Sequence, residues 1–285
     1  MVLSEAGARE HCPLIGFVAG SARGAPMTEY VFDNKEPETE QRFGALEALF
    51  DPVSKGHLQP YVVAGAHCLE VGGGSGSIAL WMGERAGDRG RVVVTDINTR
   101  FLDGIAGPNI EVRQHDIVSD PLEEAAFDVA HTRLVLLHIP ERKRAIERMI
   151  AAVKPGGWLV LQEFDSRSMQ ADAAIVGSEH LLKSVTVMWE LMAARGVNLR
   201  FGRELYPLLS SLGLSDVEAE GHVSVWRGGS VGARLWRSNF DQMHDALISS
   251  GRLTEQEFAE DIARLDDPSV TWPSPVLWSA RGRKP

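Results

Sequence analysis

Cysteine is scarce in this sequence, with 2 residues in a chain of 285. Disulfide-dependent secreted proteins carry many more, and Cys68 lies within a predicted buried strand, so it is expected to be a buried thiol. No uninterrupted apolar run is long enough to cross a bilayer. Glu5 and Glu10 precede the apolar patch at 13–19, where a signal peptide would carry positive charge. These absences predict a cytoplasmic protein that has no membrane partner.

An excess of positive charge is also absent. The chain has 29 Lys and Arg against 39 Asp and Glu, which gives a formal net charge of −10. A nucleic-acid-binding protein needs a basic face to neutralise phosphates, so no nucleic-acid partner is expected. The hydrophobic fraction of 44% and the charged fraction of 24% are typical of soluble globular proteins. The length suits one large α/β domain with a helical addition, or two small domains.

The central part of the chain alternates predicted strands with predicted helices. The last of these helices follows Pro140 and places Ile146, Met149 and Val153 on one face. Repeated units of this kind predict a parallel sheet with helices on both faces, joined by right-handed crossovers. The predicted strands are 68–71, 91–95, 110–113, 127–132 and 158–163, and the predicted helices lie near 78–85, 99–105 and 141–153.

Helical segments flank this central part on both sides. Apolar spacing predicts a helix within 36–58, and residues 1–60 are expected to form an N-terminal extension and helical cap. The main domain is expected over 61–285, with helical insertions at about 166–212 and 230–265. A separate C-terminal helical domain is the alternative, although no Pro/Gly/Ser-rich linker marks a boundary. The individual predictions are helices at 169–195, 203–212 and 231–265, and strands at 217–226 and 275–280.

A glycine-rich turn follows the first predicted strand, in the sequence EVGGGSGS at 70–77. Small residues there let a ligand approach the backbone, and the following helix offers free N–H groups. Glu70 is a carboxylate that suits a cofactor with an ammonium group, such as S-adenosylmethionine, better than a pyrophosphate. Gly74-x-Gly76-x-x-Ala79, with Asp96 downstream, also fits the dinucleotide pattern, so an NAD-dependent oxidoreductase stays open. A tight turn without any ligand is the other alternative.

Further motifs follow in order. The second predicted strand ends at Asp96, whose carboxylate can accept hydrogen bonds from two vicinal hydroxyls. After it come QHDI at 114–117, FDVAHTR at 127–133 and VKPGGWLV at 153–160. Together with the glycine-rich turn, these segments resemble the class I S-adenosylmethionine-dependent methyltransferases, in particular their small-molecule, UbiE-like branch. The resemblance covers about residues 60–165.

The resemblance implies a fold and a cofactor. The expected fold is α/β, a Rossmann-like seven-stranded, mostly parallel sheet with helices on both faces, an N-terminal helical cap and a helical lid inserted before the last strand. The expected cofactor is S-adenosylmethionine, with S-adenosylhomocysteine as product. Asp96 would hold the ribose, Asp116 the adenine amino group, and Thr132 would contribute backbone near the methionine part. The full set of expected cofactor-binding residues is Glu70, Gly72, Gly74, Asp96, Ile97, Asp116, Ile117 and Thr132.

His138 is the candidate catalytic residue. It ends the leucine-rich run at 134–138, which resembles the place where small-molecule O-methyltransferases carry a histidine base. Here Ile139 and Pro140 replace the Asp-Trp that follows the histidine in those enzymes. The methyl donor is already activated, so alignment is the main requirement and a base is helpful without being obligatory. A structural histidine near the cofactor is the alternative reading.

No metal is expected. Catechol-type methyltransferases hold magnesium with acids at the ends of the fourth and fifth strands. In this chain the fourth ends in Thr132-Arg133, and only Glu163 and Asp165 follow the fifth. No Cys/His cluster has zinc-ligand spacing. The Asn/Asp-Pro-Pro-Tyr signature of enzymes that methylate nucleic-acid bases is absent as well.

Aromatic residues outside the central part are the candidate substrate-binding residues. Tyr30, Phe32, Trp189 and Trp236 are expected to line an apolar cavity, although each could instead fill the core of a helical layer. The predicted function is methyl transfer to a small aromatic, polyketide-like or isoprenoid metabolite at O, C or N. An NAD-dependent oxidoreductase and a methyltransferase-like protein that binds S-adenosylmethionine without methylating are the alternatives. A homodimer is one assembly that the sequence allows.

Overall fold

A computed structural model describes residues 38–105, 107–169 and 178–285. The strands are β1 His67–Val71, β2 Arg91–Asp96, β3 Ile110–Gln114, β4 Phe127–Arg133, β5 Val153–Asp165, β6 Ser215–His222, β7 Val225–Arg227, β8 Thr271–Pro273 and β9 Val276–Arg283. The helices are α1 Glu38–Leu58, α2 Ser77–Ala86, α3 Arg142–Ala152, α4 Ser178–Ala194, α5 Phe201–Ser211, α6 Val231–Ser249 and α7 Glu255–Asp266. Short 3-10 turns lie at Thr99–Phe101, Leu136–His138 and Ser166–Ser168.

Seven of the described strands form one sheet in the order β3-β2-β1-β4-β5-β9-β6. All neighbours from β3 to β5 are parallel, and β9 runs antiparallel to both β5 and β6. The central strands are buried on both faces, which is why they read as continuous apolar runs such as Val92–Val94. The predicted α/β fold with a mostly parallel seven-stranded sheet is confirmed.

Helices cover both faces of the sheet because side chains alternate along each strand. On one face, Cys68 and Val92 pack with Ile78 and Met82 of α2. On the opposite face, Leu69 packs in a second cluster that includes Ala145, Ile146 and Met149 of α3. Positions i, i+1 and i+4 of α3 form the stripe that such packing needs.

Several predicted elements differ from the structure. The helix predicted at 99–105 is only the 3-10 turn Thr99–Phe101. Asn98 caps its start and Gly104 follows closely, so the residues between them are too few to nucleate an α-helix. The strand predicted at 217–226 is wrong as a single element, because the chain leaves the sheet after β6. There Ser224 and Ser274 exchange hydrogen bonds, and β7 then pairs with β8 in a separate two-stranded ribbon.

The helical stretch predicted at 231–265 is likewise two helices. A turn after α6 ends at Thr254, whose side chain forms a capping box with Glu257 and starts α7. α6 packs against α1, α4 and α7, and Phe240 and Met243 of α6 belong to the same apolar cluster as Leu161 of the sheet. None of the described helices is long and apolar enough to span a membrane.

Candidate active site at the carboxyl ends of the strands

The glycine-rich loop between β1 and α2 is tied to the end of β2. The N–H groups of Gly72 and Gly73 donate to the carbonyl of Thr95 at 2.7 and 3.0 Å. Gly72 has φ +73°, and a Cβ there would lie 2.2 Å from Cγ2 of Val135. Glycine is therefore required at this position by the close approach of the chain's own 134–138 segment as well as by the backbone conformation.

Asp96 lies directly beside this loop, as the sequence predicted. Its Oδ2 accepts from the N–H of Gly74 at 3.1 Å, and its Oδ1 accepts from the N–H of Asn98 at 3.0 Å. Burial raises the pKa of Asp96, and these N–H groups oppose that rise. The next residue, Ile97, is 51% exposed. The end of β2 thus presents a carboxylate and an uncovered apolar side chain at the same edge.

α1 adds two carboxylates that sequence reasoning missed. The hydroxyl of Ser75 donates to Glu47, and the hydroxyl of Ser77 donates to Asp51 at 3.2 Å. Asp51 also accepts from Arg133 at 3.0 Å. The i, i+4 spacing of the two acids on α1 places them on one helix face and was the available signal. Lys55 also pairs with Asp51 at 3.2 Å, so Asp51 is balanced by two cations and Glu47 is the acid that brings negative charge to the N-terminus of α2.

Glu70 is held inside the sheet. Its Oε2 lies 2.6 Å from Nδ1 of His131, its register partner on β4, and the residue is 3% exposed. Nε2 of His131 lies 3.1 Å from Oε1 of Gln162, which also accepts from Ser54 at 2.5 Å. Both ring nitrogens of His131 thus face acceptors. The carboxylate that the sequence assigns to the cofactor is engaged by a neighbouring strand.

The remaining predicted cofactor residues surround the same edge through local contacts. Asp116 caps its own turn, with Oδ1 accepting from the N–H of Val118 at 2.8 Å and Oδ2 from Ser119 at 2.9 Å. Ile117 is 4% exposed and packs in the apolar core. Thr132 donates its hydroxyl to the carbonyl of Val71 at 2.8 Å. The side chains of Ile117 and Thr132 are therefore engaged by contacts within the protein.

A cavity beside this edge brings three predicted residues together. His138, Trp189 and Trp236 all line it, and its free volume of about 60 Å³ is enough for a few water molecules. Tyr30 and Phe32, the other predicted substrate residues, lie outside the described residues. The lining is mostly apolar, and its polar members are Arg42, His138, Ser166 and Asn239. α1, α4 and α6 contribute most of the walls.

His138 ends the 3-10 turn Leu136–His138. Burial of its ring, followed by the positive charges of Arg42 and Arg142, lowers the pKa of His138 to about 3. The imidazole is therefore neutral near pH 7. A base with so low a pKa takes up a proton weakly, whereas a neutral imidazole remains a good hydrogen-bonding partner. Within the described ranges, no group of three or more His, Cys, Asp or Glu side chains is arranged to hold a metal ion.

Glu163 on β5 supports the turn that carries His138, and sequence reasoning gave it no role. The residue is fully buried, and its Oε1 accepts from the N–H groups of Leu136 at 2.7 Å and Val135 at 3.2 Å. Burial raises the pKa of Glu163 to about 8, so the carboxyl is protonated near pH 7. Leu134, at the start of this segment, has φ +58°, which is rare for a non-glycine residue.

Comparisons with known proteins identify methyltransferases as relatives of this chain. Methyltransferase str2 of Strobilurus tenacellus is 29% identical over 203 residues, which are 69% of this chain and 71% of that protein. The ubiquinone/menaquinone biosynthesis C-methyltransferase UbiE of Pseudomonas putida is 36% identical over 112 residues, 36% of this chain and 43% of UbiE. The match to UbiE thus spans less than half of that enzyme's length.

Structural similarity adds evidence for the fold. The phosphoethanolamine N-methyltransferase 2 of Haemonchus contortus, in complex with S-adenosylhomocysteine, matches with a TM-score of 0.56 and 14% identity, over 88% of this chain and 58% of that one. A family model described as a methyltransferase domain matches residues 39–245, more than half of the chain. The resemblance inferred from the glycine-rich and PGG motifs is confirmed. The chain belongs to the methyltransferase domain family, as a class I S-adenosylmethionine-dependent methyltransferase.

Proposed function

We propose that the edge formed by the glycine-rich loop and the end of β2 binds S-adenosylmethionine. The observation that carries the proposal is the negative charge around this loop, from Asp96 and from Glu47 of α1. A ligand with a sulfonium and an ammonium group is stabilised by such surroundings. When bound, the cofactor would supply an activated methyl group, and the chain would supply position and orientation.

The same charges disfavour a dinucleotide. A pyrophosphate at a helix N-terminus needs free N–H groups and an absence of nearby anions. Here Glu47 and Asp51 accept from Ser75 and Ser77 at the start of α2, and Asp96 already accepts from the N–H of Gly74. Two diphosphate charges at this position would face the carboxylates of Asp96 and Glu47. An NAD-dependent oxidoreductase is therefore the weaker interpretation of the glycine pattern.

Each predicted cofactor residue has a proposed part. Asp96 accepts from the ribose hydroxyls, and Ile97, half exposed, gives an apolar surface for adenine. Asp116 and the backbone of Ile117 meet the adenine edge. The N–H groups of Gly72 and Gly74 are already engaged, so these residues would offer their carbonyl groups, and Thr132 holds the end of β1 beside them. Glu70 acts through His131 by fixing the ends of β1 and β4. The proposed set is Glu70, Gly72, Gly74, Asp96, Ile97, Asp116, Ile117 and Thr132.

The methyl acceptor would occupy the cavity lined by Trp189 and Trp236. Apolar walls with a few polar groups are typical of small-molecule sites, and they suit an aromatic, polyketide-like or isoprenoid acceptor. A drug-sized acceptor exceeds the present free volume, so wall side chains must rotate to admit it. His138 would orient the acceptor as a neutral hydrogen-bonding group. The similarity to UbiE, a C-methyltransferase of ubiquinone and menaquinone biosynthesis, supports a small-molecule acceptor.

Isothermal titration of the purified protein with S-adenosylhomocysteine, and separately with NADH, tests the cofactor assignment. Micromolar binding of S-adenosylhomocysteine with no heat from NADH is expected. Binding of NADH alone would overturn the proposal and return the loop to the dinucleotide class. An acceptor screen that follows released S-adenosylhomocysteine then tests methyl transfer. If S-adenosylmethionine binds but no acceptor in a broad panel is turned over, a non-methylating role would be favoured.

A further inference from the structure

Two hydrogen-bond donors on α6 line the cavity beside the cofactor edge, in an otherwise mostly apolar wall. They are the indole of Trp236 and the side-chain amide of Asn239. Asn239 follows Trp236 by three residues, so the two side chains lie on the same face of α6, about one turn apart. An indole donates one hydrogen bond and a primary amide can donate two. This face of α6 is therefore where the cavity can recognise a polar atom of a ligand.

The indole N–H of Trp236 has no acceptor within the part of the chain that the structure describes. Trp236 is 4% exposed, and its Nε1 is itself buried. Because such a donor has already lost its water, a ligand that supplies an oxygen atom gains a hydrogen bond at little desolvation cost to the protein. The indole N–H groups of Trp272 and Trp278 are also buried and unpartnered there, but neither residue is among the described residues that line the cavity. Trp236 is thus the one of the three that lies beside a ligand in the cavity.

Asn239 is oriented by a contact between two helices. Nε of Arg42 on α1 donates to Oδ1 of Asn239 at 3.0 Å. Since the oxygen of the amide faces the guanidinium, Nδ2 and its two N–H groups point away from Arg42. Arg42 is itself engaged in contacts within the protein, of which this is one. The two donors on α6 are both neutral.

We infer that the indole N–H of Trp236 donates to a carbonyl oxygen of the methyl acceptor, with Asn239 as a second donor, so that the substrate class is apolar compounds with a neutral ketone or ester carbonyl. A carbonyl oxygen has two lone pairs and can accept both bonds. Neutral donors in a mostly apolar wall favour a neutral group, because a buried anion needs a cationic partner to offset its desolvation. This inference rests on the proposed function, since it takes the cavity to be the acceptor site.

The test uses the full chain saturated with S-adenosylhomocysteine and titrated by calorimetry with methyl cinnamate or with cinnamyl methyl ether. These probes are similar in size and shape, and the ether has a methylene group in place of the carbonyl. The wild-type protein should bind methyl cinnamate at least about fivefold more tightly than the ether. Trp236→Phe keeps an aromatic wall and removes the N–H, so it should reduce this preference to about twofold or less, with S-adenosylhomocysteine affinity within twofold of wild type.

Two further variants control for unspecific effects. Trp272→Phe removes a buried, unpartnered indole N–H that lies outside the described cavity lining, so it should keep the wild-type preference. Asn239→Asp keeps an oxygen for Arg42 and removes the two amide N–H groups. It should reduce the preference for methyl cinnamate, and it tests the inference if Trp236→Phe does not fold.

The outcomes separate this inference from the cofactor assignment. Failure of the wild-type protein to bind S-adenosylhomocysteine would count against the proposed function itself. Normal S-adenosylhomocysteine binding with equal affinity for the two probes, or with no binding of either, would overturn the carbonyl inference alone. A preference that survives in Trp236→Phe would also overturn it. Cinnamate, titrated in parallel, should bind more weakly than its methyl ester, and tighter binding of cinnamate would show that the cavity selects an anion instead.

Discussion

The cofactor edge and the acceptor cavity differ in how the chain builds them. The cofactor edge consists of short segments that follow β1, β2 and β3, and its glycine loop bonds to the adjacent strand end through the carbonyl of Thr95. The walls of the cavity come mainly from α1, α4 and α6. These helices are distant in the sequence: Arg42 of α1 and Asn239 of α6, which are hydrogen-bonded, are 197 positions apart. The first region is thus encoded locally, and the second depends on how distant helices pack.

The two regions also differ in charge. Asp96 and Glu47 lie around the glycine loop, whereas none of the described residues that line the cavity is acidic. A cationic methyl donor would meet carboxylates at the cofactor edge and a mostly apolar lining at the cavity. The turn at 134–138 lies between them, because Val135 packs on Gly72 while His138 lines the cavity. Substitutions in each region should therefore act on different ligands.

The largest expected effect concerns stability at the cofactor edge. Glu70→Ala should lower the free energy of unfolding by up to about 3 kcal/mol, because it leaves the buried ring of His131 without one of its hydrogen-bond partners. Urea denaturation measures the change, and Glu84→Ala, an exposed acid on α2, is the control with an effect within about 0.5 kcal/mol. Unchanged stability combined with lost S-adenosylhomocysteine affinity would instead indicate direct contact of Glu70 with the cofactor.

Glu163 should make stability fall with rising pH. Its pKa is raised to about 8 in the folded protein, from 4.5 as the ordinary value, so the folded state binds the proton more tightly. The stabilisation is complete below about pH 4.5 and is lost as pH rises to about 8, at up to about 1.4 kcal/mol per pH unit.

Glu163→Gln keeps the acceptor for Leu136 and Val135 without the titration. Denaturation at pH 5, 6, 7 and 8 measures the free energy of unfolding of both proteins. The difference between Glu163→Gln and the wild-type protein should shift in favour of the variant at each higher pH. Glu163→Ala should cost about 1–3 kcal/mol at pH 5, since two N–H groups lose their acceptor. Parallel pH profiles for the wild-type protein and Glu163→Gln would contradict the buried protonated carboxyl.

His138 should show the smallest effect. His138 is neutral above its pKa of about 3, so it is expected to orient the acceptor without taking up a proton. His138→Gln should therefore keep the turnover rate within about tenfold of the wild-type rate, and its pH–rate profile between pH 5 and 8 should be unchanged. S-Adenosylhomocysteine release with an acceptor found by screening is the measurement. A loss of about 100-fold or more, together with the disappearance of an acidic limb, would show that His138 is a base.

Sequence reasoning succeeded where a pattern is local. The glycine loop, Asp96 and the PGG junction predicted the family and the sheet, because each depends on a few consecutive residues. Trp189, Trp236 and His138 all line one cavity. Their parts in binding and catalysis stay predictions.

Sequence reasoning missed residues whose surroundings come from other elements. Arg42 and Glu163 look like ordinary charged residues until Asn239 and the turn at Leu136 meet them. Glu47 and Asp51 contact Ser75 and Ser77 because α1 lies across the start of α2, which the sequence alone does not indicate. The strand break after β6 depends on Ser224 pairing with Ser274, fifty residues away, which local β-propensity does not encode.

The separation of the two regions is tested most directly by titrating S-adenosylhomocysteine into Asp96→Ala and Trp236→Phe side by side with the wild-type protein. Asp96→Ala should weaken binding by about 1.5–3 kcal/mol, roughly 10- to 150-fold, through loss of charge-assisted hydrogen bonds to the ribose. Trp236→Phe should bind within twofold of wild type, because its indole belongs to the acceptor cavity. Unchanged affinity in a folded Asp96→Ala, or an equal loss in Trp236→Phe, would contradict the assignment of cofactor and acceptor to separate regions.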